Sequence, residues 1–149
     1  MSILRMKTIF AIVSTVIIAG CVYNTLERNL ILHDKPLSVI RSNIQGKWKL
    51  QYVKGGLCAN CAGPVRHNPY MIIDNDRIVF GDDSLSVVVD TIIVWKKDKD
   101  IFNDSTFLLS YRYSKGYAYP YYQIVDRIQN GTLVIIDNAY DAFYYYYTQ

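Results

Sequence analysis

From Gly46 onward the chain alternates apolar and polar positions with a period of two. In "GKWKLQYV", Trp48, Leu50 and Tyr52 alternate with Lys47, Lys49 and Gln51, which marks a strand buried on one face. "YMIID" and "RIVFG" flank Asn75-Asp76, a tight turn. "LSVVVDTIIVW" is apolar on both faces and reads as one long strand or two. "STFLLSYRY" and "YAYPYYQIVDRI" flank a hairpin loop at Ser114-Lys115-Gly116, and Asn130-Gly131 in "DRIQNGTLVII" is a strong hairpin signal. "AFYYYYT" supplies a last strand after a turn at residues 137–141. Roughly seven to nine strands with short connections leave no room for crossover helices, so the pattern predicts an all-β antiparallel up-and-down meander, closed as a barrel or folded as a sandwich. Residues 22–43 lack a sustained period and read as a tether with a short helical turn starting at Pro36.

The N-terminus departs from this pattern. "MSILRMK" is a basic head, and "TIFAIVSTVIIAG" is an apolar run ending in small residues before Cys21, the layout of a secretory signal. The apolar stretch is shorter than the ~20 residues a spanning helix needs. Ile18-Ala19-Gly20-Cys21 resembles the lipobox of bacterial lipoproteins, in which the peptide is cut before the cysteine and the thiol takes a diacylglycerol. That resemblance implies a lipidated Cys21, an anchor in the bacterial cell envelope on the periplasmic or surface side, and a compartment that permits disulfides. The chain then divides into a signal peptide (1–20), the tether (21–43) and one β-domain (44–149), a single core being what 149 residues support.

The opening of the first strand, Gly46-Lys47-Trp48, resembles the G-x-W start of lipocalin-like proteins, and with the lipobox the chain is similar to small lipocalin-like bacterial lipoproteins. The resemblance implies an eight-stranded calycin-type barrel whose closed end is plugged by the tryptophan and whose mouth takes a small hydrophobic or amphiphilic ligand. The aromatic residues offered to such a ligand are Trp48, Tyr52, Tyr111, Tyr113 and Tyr122.

Composition sharpens this picture at two points. The chain holds 14 tyrosines, clustered at 111–122 and 144–147. Strand propensity accounts for most of them. The alternative is an aromatic surface on which a partner protein of the envelope docks, making the chain a structural or assembly lipoprotein. Net charge is +3, but Arg5 and Lys7 lie in the signal segment, and without them Lys+Arg falls from 16 to 14 against 13 acids. No basic stripe exists, which argues against a nucleic-acid partner. The cluster Lys96, Lys97 and Lys99 alternates with Asp98 and Asp100 and reads as a solvated turn.

Candidate chemistry is sparse. Cys58-Ala59-Asn60-Cys61 sits between Gly55-Gly56 and Ala62-Gly63-Pro64, so it reads as loop on both sides. A redox motif would need a lowered thiol pKa, typically at a helix N-terminus. A metal site of Cys58, Cys61 and His67 lacks a fourth ligand. With Cys21 taken by lipid, a local Cys58–Cys61 disulfide is the leading reading, contributing about 2 kcal/mol in the chain-entropy model. Neither His33 nor His67 neighbours an obvious nucleophile, and Asp74, Asp76, Asp82 and Asp83 fall in turns. No catalytic set, metal or cofactor is expected, with thiol–disulfide chemistry at Cys58/Cys61 as the only enzymatic alternative.

Overall fold

The structure, a computed structural model, describes residues 29–57, 63–111 and 121–149. Its elements are β1 (Asn29–Ile31), α1 (Leu37–Asn43), β2 (Gly46–Gly55), β3 (Gly63–Pro64), β4 (Pro69–Asp74), β5 (Arg77–Asp82), β6 (Leu85–Lys99), β7 (Ser105–Tyr111), β8 (Tyr121–Gln129), β9 (Thr132–Asp137) and β10 (Phe143–Thr148). Eight of the strands, β2 and β4 to β10, pair antiparallel with their sequence neighbours, and β10 returns to β2 to close the barrel. Closure leaves neither terminal strand of the meander as a free edge, the general solution for an all-β meander. The barrel form is therefore the outcome, not the sandwich.

Successive side chains alternate between interior and exterior. Trp48, Met71, Ile73, Ile78, Ile93, Leu109, Val125, Leu133, Ile135 and Tyr147 face inwards and are at most 8% exposed. Asn75 and Asn130 adopt positive φ (53° and 51°) at the β4–β5 and β8–β9 turns predicted from their sequence. One open reading is resolved and another changes. "LSVVVDTIIVW" belongs to one strand, β6, which runs 15 residues. The lysine cluster lies in the lower part of that strand, with Lys96, Lys97 and Lys99 paired to Leu108, Phe107 and Ser105, and the turn itself begins at Asp100. There the Asp100 carboxylate accepts the backbone N–H groups of Phe102 and Asp104, each at 2.9 Å.

Antiparallel pairing assigns each connection to one end. The lower end carries α1 and the β4–β5, β6–β7 and β8–β9 turns; the upper end carries the β2–β4, β5–β6, β7–β8 and β9–β10 connections. Residues read as a tether help shut the lower end. Pro36 precedes the first turn of α1, whose Ile40 and the following Ile44 are fully buried. Arg41 pairs with Asp76 at 2.7 Å, and Gln45 Oε1 accepts the Asn75 N–H at 2.8 Å, fastening the helix to the β4–β5 turn. Upstream, β1 adds to β8 where β7 leaves it, and Thr106 Oγ1 donates to the His33 carbonyl at 2.5 Å. Gly46, at φ 110°, makes the bend from helix to strand that L side chains rarely adopt.

Candidate functional site: a polar layer in the upper barrel

The lower interior is apolar and tightly closed, whereas the upper interior carries hydrogen-bonding groups. On four consecutive strands, Tyr111 of β7, Gln123 of β8, Asp137 of β9 and Tyr145 of β10 form one chain of hydrogen bonds. Tyr111 Oη donates to Gln123 Oε1 at 3.2 Å, and Gln123 Nε2 donates to Asp137 Oδ1 at 3.1 Å. Tyr145 Oη donates to Asp137 Oδ2, also at 3.1 Å. Register brings these together: Gln123 lies directly opposite Asp137, and Tyr145 opposite Ile135 one step below it. Phe80 packs on Tyr111 with ring centroids 4.9 Å apart.

Asp137, Gln123 and Tyr111 are 4%, 5% and 5% exposed. Leu50, Phe80 and Tyr145 pack on the same core yet stay partly exposed, unlike Trp48, Met71 and Ile78 nearer the helix. A buried carboxylate held by neutral donors in an apolar wall is unusual, because buried charge is costly without a counter-charge. The arrangement offers a polar anchor above an apolar floor.

The residues singled out from the sequence separate. Trp48 points inwards, and its Nε1 donates to the Ile44 carbonyl at 2.8 Å, tying the end of α1 to β2. Tyr111 belongs to the polar layer. Tyr52 and Tyr122 do not line the interior. A register shift opposite Tyr146/Tyr147 passes over Gln51, so Tyr52 turns outwards, is 39% exposed and stacks edge-on with Tyr146 at 6.0 Å. Tyr122 alternates with Gln123 and so faces out, beneath Lys96 Nζ at 5.5 Å. Tyr113, Cys21, Cys58 and Cys61 lie outside the described residues. The described residues on either side of 58–62 sit at the upper end: Gly63 and Pro64 pair with Val53 and Tyr52, and a side chain on Gly55 (φ 109°) would strike the Ala142 carbonyl.

Gln123, Asp137, Tyr145 and Phe80 were not anticipated. A signal for two of them existed: Gln123 shares the inward phase of Val125, and Asp137 that of Leu133 and Ile135, so each is a polar residue where the strand period calls for an apolar one.

The outer face of β7 to β10 carries its own apolar cluster. Leu108, Ile124, Val134 and Ile136 are at most 3% exposed, with Tyr122, Tyr144 and Tyr146 packed beside them. Two exposed ion pairs stand apart from the polar layer. Arg77 holds the Asp90 carboxyl below the usual carboxylate range through a two-point hydrogen bond, and Lys96 does the same to Asp98. Among the described residues no group of His, Cys, Asp and Glu is placed to hold a metal, and no helix is long and apolar enough to cross a membrane. The barrel is compatible with a calycin-like fold. Comparison with protein-family models, with curated proteins and with solved structures found no match.

Proposed function

We propose that this chain is a lipid-anchored envelope protein that holds one small amphiphile in the upper half of its barrel. The observation that carries this reading is the polar layer of Tyr111, Gln123, Asp137 and Tyr145 above a closed apolar floor. An amphiphile matches that division, its tail among Leu50, Phe80 and Met71 and its head at the hydrogen-bonding groups. A barrel of eight strands is wide enough for one small ligand. Cys21 supplies the anchor through its lipidation, and in that compartment Cys58 and Cys61 pair as a disulfide.

The test is titration of the full-length chain with the neutral apolar dye N-phenylnaphthylamine. Saturable binding of one dye per chain is expected, weakened about tenfold by Leu50→Trp, which fills the interior, and unchanged by Tyr146→Ser on the outer face. Incorporation of labelled fatty acid, absent in Cys21→Ser, checks the anchor. A second reading has its own observation: Tyr52 turns outwards and stacks edge-on with Tyr146, an aromatic surface that suits docking of an envelope partner. Dye binding lost in Tyr146→Ser but kept in Leu50→Trp would transfer the function to that outer surface.

A further inference from the structure

Asp137 is a buried acid that the fold, among the described residues, leaves without a counter-charge. Its carboxylate is 4% exposed, and both of its hydrogen bonds come from neutral donors, the Gln123 amide and the Tyr145 hydroxyl. Among the described residues no lysine, arginine or histidine forms an ion pair with it. The basic side chains that do form pairs among the described residues are spent on other acids: Lys35 on Asp34, Arg41 on Asp76, Lys47 and Lys49 on Asp83, Arg77 on Asp90, Lys96 on Asp98, and Arg127 and His33 on Asp126.

The surroundings favour one sign of charge. An ionised carboxylate offers about four acceptor sites. Gln123 and Tyr145 take two of them, which leaves two for an incoming donor. The two donors of the layer that face Asp137 are already used by it, so little remains to receive an anion. The neighbouring groups are aromatic: Tyr145 touches the carboxylate, and Phe80 and Tyr111 stack beside the same layer. Aromatic faces attract cations, more strongly where water is excluded.

From these observations we infer that the ligand's head is a cation, an alkylammonium or similar amine-bearing amphiphile, seated on Asp137 between Tyr145 and Tyr111. The inference rests on the reading of the barrel interior as the binding site. The ammonium places two N–H donors on the free positions of Asp137 Oδ1 and Oδ2 and lies against the rings. In this state the buried charge is neutralised by the ligand instead of by a side chain. Gln123 and Tyr145 act as positioning residues, holding the carboxylate in one orientation before the ligand arrives.

The experiment is calorimetric titration of the unmutated full-length chain with three probes of equal tail length: octylammonium, octanol and octanoate. The expected order is octylammonium at least about tenfold tighter than octanol, and octanoate weaker than both. In Asp137→Asn the advantage of octylammonium over octanol disappears while octanol binding persists, which also shows that the variant is folded. Tyr145→Phe removes one of the two donors that hold the carboxylate, and it narrows the preference for the cation without abolishing it. Octanol or octanoate binding as tightly as octylammonium to the unmutated chain overturns the cationic assignment but leaves the barrel site standing. If none of the three binds, the interior-binding proposal itself fails, and the inference with it.

Discussion

Trp48 joins two parts of the molecule through one atom. Its ring fills the lower barrel, and its Nε1 reaches the carbonyl of Ile44, where α1 ends. Trp48→Phe keeps an aromatic ring but leaves a buried carbonyl without a partner, which costs about 2 kcal/mol. The urea midpoint is expected to fall while the slope of the transition stays the same; an unchanged midpoint would show that the hydrogen bond contributes nothing. The alternation around Gly46-Lys47-Trp48 was enough to place this residue. The same alternation misplaced Tyr52, because a bulge one step further on reverses the phase, and a bulge leaves no mark in a period-two pattern. Asp137 shows the converse. Its inward phase is readable from Leu133 and Ile135, but its two partners come from strands separated from it by a turn on either side, and only register aligns them.

Among the elements, β5 and β6 illustrate how an exposed pair acts across a hairpin. Arg77 and Asp90 stand diagonally on the outer face, and Arg77 holds the Asp90 carboxyl below its ordinary range by hydrogen bonding first and charge second. A carboxyl lowered by folding stabilises the protein above its unfolded pKa, and the contribution is lost as pH falls through the lowered value. The difference in melting temperature between the unmutated chain and Asp90→Asn is therefore expected in full at neutral pH and to shrink below the usual carboxylate range. Because both side chains are exposed, the difference is small and declines with added salt. A difference that grows in acid would contradict the assignment. The hairpin turns at Asn75 and Asn130 were legible because positive φ demands particular residues. The length of β6 was not, since a strand apolar on both faces gives no alternation from which to judge where it breaks. β1 was equally hidden: three residues carry no period, and their pairing depends on the space that β7 vacates beside β8.

At the scale of the molecule, the pairing of β10 with β2 decides the architecture. Every other contact of the barrel joins strands adjacent in sequence, while this one brings residues 143–148 to residues 49–55. Deleting residues 143–149 exposes the edges of both β2 and β9, and unpaired edges template association between chains. The truncated chain is expected to lose cooperative unfolding and to elute as oligomers in size-exclusion chromatography. A monomer with an unaltered urea midpoint would mean that closure is dispensable. The closed end and the polar layer are both consequences of this ring, since a flat sheet with the same strands would present Asp137 to water.

The sequence by itself determined the class of fold, the turns and the inward residues of most strands, because these follow from local rules: a period of two, the backbone freedom of Asn and Gly, and the absence of helical stretches. The basic head, the apolar run and Cys21, on which the proposed anchor rests, are likewise read without any tertiary contact. Tertiary structure alone decided that the meander closes, that residues 29–44 stop its lower end, and that Tyr111, Gln123, Asp137 and Tyr145 meet. The reason is physical. Strand-to-strand register and bulges set which inward side chains share a level of the barrel, and register is a property of paired strands, not of any one segment.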